Sequence, residues 1–507
     1  MTSPGRKLNY MPLRITTNTL TRLTLALVAL SFVRVASADT DLFDVAGAPV
    51  TLTASMRTRE YVWSYFKPGK VANGNSNYQY NFQSNVIRVG AGYELDGVKF
   101  FAEAMNPSLL ELPPNALASA PVGALGTGAN YYQTQQSRYS ASLFLKQGYV
   151  EFGEQILRGL TVKGGRFEFF DGAESTPADP QLSWLVTNEI AQRLIGNFGF
   201  SDAMRSFDGA TFRYGDASWN ATLMYGVPTR GVYDLNGMDE IRRADVIYGA
   251  LNKQLESRLG TTLGRAFYIW YDDNRGLTPT DNEPSAAAKA NTRAISISTL
   301  GGDLVHKLRV GPGSMDLLIW GAYQIGSWGK LTQSAYAYTA QAGYRLDSVP
   351  WQPWFRALYT FGSGDSDKHD STHGTFFQIL PTARIYALTP VFNMMNTTDL
   401  GGQLILKPLQ NIEWRSDLDA LWLSSSRDLW YAGGGAFDNH LFGYTGRPSF
   451  GHSYLGTVLD TGVNWKACRH LNLYFYAGQM FGGPVVGSNF PGGRGLTFGY
   501  AESTLSF

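Results

Sequence analysis

From about residue 50 to the C-terminus, polar and apolar residues alternate with a period of two. Ile87, Val89, Ala91, Tyr93 and Leu95 alternate with Arg88, Gly90, Gly92 and Glu94. Phe355, Ala357, Tyr359 and Phe361 alternate with Trp354, Arg356, Leu358 and Thr360. Ile412, Trp414, Ser416, Leu418, Ala420 and Trp422 alternate with Glu413, Arg415, Asp417, Asp419 and Leu421. Successive strand side chains point to opposite faces, so each segment has one apolar, aromatic face and one polar, often charged face. A soluble sandwich could show the same alternation with its apolar face turned inward.

The connections separate the two cases. Short turns fall near Asp96-Gly97, 155–158, 215–217, 257–260, 311–314, 347–352, 408–410 and 467–470. Between them lie longer Gly/Pro/Asn/Ser-rich segments at 66–80, 106–138, 171–204, 228–245, 273–292, 364–398, 425–452 and 482–494, and a shorter one at 329–334. Short turns on one side and long loops on the other are the pattern of an outer-membrane barrel. The segments count to about eighteen strands, with sixteen left open, and both termini fall on the short-turn side, as an even number requires. The fold class expected is all-β, a transmembrane antiparallel barrel with short periplasmic turns and long extracellular loops. A barrel of that size has room for an aqueous lumen.

The two ends agree with this. Residues 1–22 carry Arg6, Lys7, Arg14 and Arg22 and no acid, residues 23–33 form an apolar core, and Ala36-Ser37-Ala38 offers small residues for cleavage. That order reads as a secretory signal peptide over 1–38, leaving 39–507 as the barrel. The apolar run is shorter than the roughly 20 residues of a membrane helix. The chain closes on a strand-like segment ending in Phe507, which resembles the signature by which outer-membrane barrels are recognised by the barrel assembly machinery, an expected partner.

Composition excludes other classes. Without the five basic residues of 1–38 the chain has 37 basic and 41 acidic residues, a net charge near −4, so nucleic acid is not an expected partner. Charged residues are only 16%, against roughly 25% in ordinary soluble domains, while aromatics reach 14%. The mean hydropathy of −0.17 fits alternating strands, which never average apolar. Cys468 is the single cysteine, so no intramolecular disulfide forms. No Gly-x-Ser-x-Gly elbow, phosphate loop or His-Glu-x-x-His occurs, and adjacent His452 and Ser453 would point to opposite faces of a strand. The chain is read as neither an enzyme nor a cofactor protein. The segment 364–374 carries oxygen donors with His369 and His373 but lacks the terminal Glu of a calcium loop, so it is read as a solvated external loop and no metal is assigned.

Residues 180–195 have helical periodicity, with Leu182, Leu185, Val186, Glu189, Ile190, Arg193 and Leu194 along one mostly apolar face. Such a helix could plug the pore. The reading preferred here packs it on the external rim.

Several stretches carry a resemblance. Residues 145–151 lead into Gly165-Arg166-Phe167, Arg205-Ser206-Phe207-Asp208-Gly209 has the form Arg-x-Phe-Asp-Gly, and Tyr359 to Asp365 is a strand ending in Ser-Gly-Asp. Together with the loop asparagines Asn393 and Asn396, these are similar to motifs of the alginate export family of outer-membrane proteins. Phe167 stands where that family usually has Gln. The resemblance implies a monomeric eighteen-stranded barrel whose positively charged lumen exports an anionic uronate polymer, with outer-membrane lipid and periplasmic secretion components as further partners. An uptake porin for small anions and a non-conducting scaffold are the alternatives.

By strand phase Arg57, Arg59, Arg88, Arg213, Arg356 and Arg415 point to the polar side, and Arg166 and Arg205 stand at motif positions. These eight are the pore-lining candidates. Guanidinium pairs bidentately with carboxylate and stays charged at any relevant pH. Lumen acids, among them Glu94, Glu103, Glu151, Glu413, Asp417 and Asp419, could equally neutralise them, with Glu413, Arg415 and Asp417 as a closed network. A polymer channel predicts a continuous basic track, a small-solute porin predicts a constriction with facing charges, and a scaffold predicts a lumen filled by a loop.

Overall fold

The computed structural model describes residues 41–45, 48–69, 77–154, 157–382 and 390–507. The expected signal peptide lies outside these residues.

Eighteen strands close into one antiparallel barrel. They are β1 (Ala48–Ser64), β2 (Gln79–Leu95), β3 (Val98–Leu110), β4 (Phe144–Gly153), β5 (Leu160–Phe167), β6 (Phe207–Gly215), β7 (Trp219–Pro228), β8 (Ala244–Ser257) and β9 (Gly260–Asp273). The second half holds β10 (Ile295–Val310), β11 (Gly313–Trp328), β12 (Leu331–Arg345), β13 (Trp354–Gly362), β14 (Thr397–Leu409), β15 (Ile412–Leu423), β16 (Tyr454–Lys466), β17 (Leu471–Gly482) and β18 (Gly495–Ser506). Each pairs with its sequence neighbour, and β18 returns to β1 with Ser55 opposite Ser506 and Ser64 opposite Thr497. The terminal Phe507 extends this seam, exchanging backbone hydrogen bonds with Ala54 at 3.0 and 2.8 Å.

The alternation explains the wall. Phe212, Leu223, Leu251, Leu300, Ile319, Leu400, Leu418 and Leu459 are exposed on the outer face, where lipid covers them. Their strand neighbours point inward, and many are buried because long loops turn into the barrel. Between β4 and β7 the strands shorten to 8–10 residues, so the chain leaves the wall low on that side.

Three long loops meet above the lumen. Phe198, Phe377, Phe442 and Tyr444 belong to the connections β5–β6, β13–β14 and β15–β16, and all are buried in one cluster with Trp328 and Trp430. The first two connections are tied by backbone, with Leu380 N–H donating to Leu194 O at 2.8 Å and Gly196 N–H to Leu380 O at 2.9 Å. His373 is fully buried here, stacked on Trp328 with ring centroids 4.0 Å apart and its Nδ1 2.6 Å from Gln333 Oε1. His369 stays exposed, and among the described residues no group of acids, histidines or cysteines is arranged as a metal site.

Burial pushes the His373 imidazole down to about 3. An unfolded histidine protonates near 6.5, so between these values the unfolded chain holds a proton that the folded one refuses. Stability therefore falls as pH drops from about 6.5 toward 3. Burial raises the neighbouring Asp281 and Asp428 carboxyls to about 6, which acts in the opposite sense. The expected result is that His373→Phe retains more protease protection of the mouth loops at pH 4.5, relative to pH 8, than the native chain. Equal loss in both would remove His373 from the account.

Candidate functional site

The β5–β6 connection, residues 168–206, does not lie on the rim. It descends through the lumen almost to the periplasmic turns. Asp179 caps a short helix, α1 (Pro180–Leu185), by accepting from the Gln181 and Leu182 amides, and Pro180 fits the first turn, where an amide has no helical partner anyway. One π-helical turn follows at Val186–Ile190, and Gln192 at φ 65° ends the run. The expected single helix over 180–195 is thus α1 plus a π turn, a geometry that recurs at functional sites.

Contacts fix how deep α1 sits. Gln181 accepts from Ser314 Oγ at 2.8 Å and donates to Asp316 at 3.0 Å, and both partners lie at the periplasmic start of β11. Lys307 of β10 pairs with Asp179. Trp184 donates to Glu413 of β15 at 3.0 Å and meets Trp354 of β13 edge-on at 4.8 Å. The reading of a helix on the external rim is therefore corrected. Helical periodicity shows which residues share a face, not what that face packs against, and here it packs against the inner wall.

Glu189 is the hub. Its carboxylate accepts from Gln341 of β12 at 3.0 Å and from Gln403 of β14 at 3.2 Å. Arg356 of β13 lies 3.5 Å from it and Arg415 of β15 3.7 Å. The same two arginines bind the wall, Arg356 to Asp316 at 3.2 Å and Arg415 to Asp417 at 2.8 Å. Glu413 bonds Trp184 and Lys407 instead of joining the network expected with Arg415 and Asp417.

The returning leg docks on the opposite wall. Arg57 of β1 donates to Gly199 O at 2.9 Å, Ser201 O at 2.8 Å and Asp202 at 3.1 Å. Arg59 donates to Phe200 O at 2.7 Å and to Glu502 of β18 at 2.7 Å, beneath the Tyr500 ring. Arg88 of β2 pairs with Glu103 at 2.7 Å and with Glu168, the first residue of the connection, at 3.1 Å. Lys146 of β4 reaches the same Glu168 at 3.2 Å.

The sequence profile of the alginate export family matches residues 126–492. The chain belongs to the alginate export family. No curated protein sequence matches it significantly. Its fold is similar to that of OccAB4 from Acinetobacter baumannii, at 8% identity over 90% of this chain and 97% of that one, with a TM-score of 0.53. A BenF-like porin from Pseudomonas fluorescens Pf-5 gives 10% identity over 90% and 98% with a TM-score of 0.54. OpdK of Pseudomonas aeruginosa, solved with vanillate, gives 8% over 90% and 98% with a TM-score of 0.52. At these identities the structures speak to fold alone. Family and fold together make this an outer-membrane channel barrel, with the fold of transport barrels rather than enzymes.

Within this alginate export barrel the eight candidate arginines part ways. Arg57, Arg59, Arg88, Arg356 and Arg415 face the lumen and are engaged there. Arg213 also faces inward, opposite Thr222, but it is exposed near the periplasmic end and no acid or hydrogen-bond partner meets it among the described residues. Arg166 is a correction. Its register partner is Asp208, bonded at 2.6 Å, and both share the face of Phe212, Tyr214 and Tyr225, which points to lipid. Gly164-Gly165 had hidden the phase of β5. Arg205 is a second correction. It lies in the descending connection rather than in a strand, fully buried, with its Nη2 donating to Gly434 O at 2.6 Å. Burial without a carboxylate partner pulls its guanidinium down to about 10.

Residues that phase alone missed are Glu189, Asp202, Glu168 and Lys146. A signal did exist for Glu189: it stands with Arg193 on the apolar stripe of residues 182–194, where a charge needs a buried partner.

Proposed function

We propose that this outer-membrane channel passes small carboxylated solutes, such as sugar acids, past a constriction made by the inward β5–β6 connection. The observation that supports it is Glu189 held between Arg356 and Arg415 at 3.5 and 3.7 Å. Opposed charges at a narrow point orient a small anion, whereas a polymer needs many free cations in series. Among the candidate arginines only Arg213 has no partner among the described residues, so these eight do not form a continuous basic track. Arg213 would act as the collector: an exposed cation in a concave, low-dielectric mouth raises the local anion concentration.

Family membership favours a second reading, export of an anionic exopolysaccharide, which would require the connection to swing out and release its arginines. Uptake by proteoliposomes separates the two. On the first reading galacturonate enters faster than galactose, polyguluronate does not cross, and Arg213→Ala lowers galacturonate uptake several-fold without changing galactose. Transit of the polymer, or equal uptake of acid and neutral sugar, would overturn the first reading.

A further inference from the structure

We infer that the extracellular face carries a docking site for a carboxylated sugar, between the β1–β2 and β17–β18 connections. The inference rests on the cargo class proposed above and adds a second place where that cargo is held. Both connections are free of acids in the sequence: none stands between Glu60 and Glu94, or between Asp460 and Glu502. These stretches do carry cations, among them Lys67 just past the extracellular end of β1 and Arg494 just before β18.

The barrel brings the two connections side by side, because β18 closes on β1. Lys67 N–H donates to Gly493 O at 2.8 Å, and Gly482 N–H donates to Arg494 O at the same distance. Lys67-Pro68-Gly69 and Pro491-Gly492-Gly493 then lie too close for further side chains. A Cβ at Gly69 would meet Pro491 Cγ at 2.8 Å, and one at Gly492 would meet Pro68 O at 2.4 Å. Phe490 is buried against Phe66 and Trp430, with ring centroids 5.1 and 6.3 Å away, so the pair of loops is fixed to the mouth cluster.

This packing leaves an open concavity of about 480 Å³, lined among others by Pro484, Gly487, Ser488, Pro491 and Arg494. Its size lies within the roughly 300–1,000 Å³ of small-molecule sites. The Arg494 side chain runs past Gly487, where a Cβ would stand 3.6 Å from its Cδ. Lys67 packs beside Gly493, which also lines the concavity. Both cations are exposed, and among the described residues no acid or hydrogen-bond acceptor meets either side chain. The lumen arginines Arg57, Arg59, Arg88, Arg356 and Arg415 are already engaged, so they differ in kind. Two unengaged cations beside a concavity without acids select an anion, and guanidinium pairs bidentately with carboxylate. The exposed proline rings and the Ser488 hydroxyl offer an apolar face and a hydrogen-bonding group to a sugar ring. With Arg213 near the periplasmic end, the channel would then hold an anion collector at each mouth.

Fluorine NMR of a trifluoromethyl tag at Ser488→Cys, in a Cys468→Ser background, reads this site locally and without transport. Galacturonate is expected to shift the signal saturably, while galactose and acetate at the same concentrations leave it in place. Lys67→Ala/Arg494→Ala should weaken the response at least tenfold without lowering the melting temperature, because both side chains are exposed and unpaired. Lys368→Ala, on another external loop, should leave the response intact. An equal response to galactose or acetate, or undiminished binding in the double variant, overturns the site. A silent tag beside uptake that still prefers galacturonate overturns this site alone. A responding tag beside uptake without that preference overturns the channel reading and leaves the site standing.

Discussion

Glu189→Ala should raise single-channel conductance several-fold and make the current more anion-selective. Four wall contacts end on this one carboxylate, from Gln341, Gln403, Arg356 and Arg415. Removing it frees the π turn from β12 to β15 and takes one negative charge from beside two guanidinium groups. The constriction becomes more positive by one charge, which shifts its selectivity toward anions. Glu189→Gln separates the two effects, because the amide oxygen still accepts from one of the two glutamines while the charge is gone. It should become anion-selective with a smaller rise in conductance. Unchanged conductance in both variants would mean that the connection is held by its other anchors, Asp179–Lys307 and Asp202–Arg57.

Arg356→Met should be the most damaging single change to stability. Arg356 is 4% exposed and satisfies Asp316, Glu189, Gln341 and Gln403 together. Methionine fills much of the volume but leaves the buried Asp316 without a cation and Glu189 with Arg415 alone. Breaking a buried pair from one side costs about 3–5 kcal/mol. Arg213→Ala, facing water without a partner, should stay within about 0.5 kcal/mol, as surface changes do. Reversible unfolding in urea with lipid or detergent measures both. A loss under about 1 kcal/mol for Arg356→Met would show that water reaches the network and screens it.

The wall was legible in the sequence because two solvents wrote it. Lipid outside and a polar lumen inside impose strict alternation, and the eight inner turns, the eight longer outer connections and the short one after Trp328 fall where the periodicity breaks. Even the closing seam was foreshadowed by the final strand ending at Phe507. The contents of the lumen were harder to read. Arg59 meets Glu502 from the far end of the chain, a contact that strand phase cannot foresee. Arg166 was misplaced because glycines at 164 and 165 leave no side chains to reveal the face. The connection at 168–206 was seen to hold an amphipathic segment, but a helix with one apolar face can cover a rim or fill a pore equally well. Its depth is set by particular polar pairs, Gln181 with Asp316 and Trp184 with Glu413, that come from strands more than 100 residues away.

On the proposed function, a loop held by Glu189 restricts an anion-passing outer-membrane channel to small solutes. Single-channel current through the purified barrel in a planar bilayer, with galacturonate and then polyguluronate on the periplasmic side, tests it most directly. The account predicts a small anion-selective current carried by galacturonate, with the polymer neither crossing nor enlarging it until Glu189 is replaced. A large native current that polyguluronate blocks from within, or a current with no preference for anions, would contradict it.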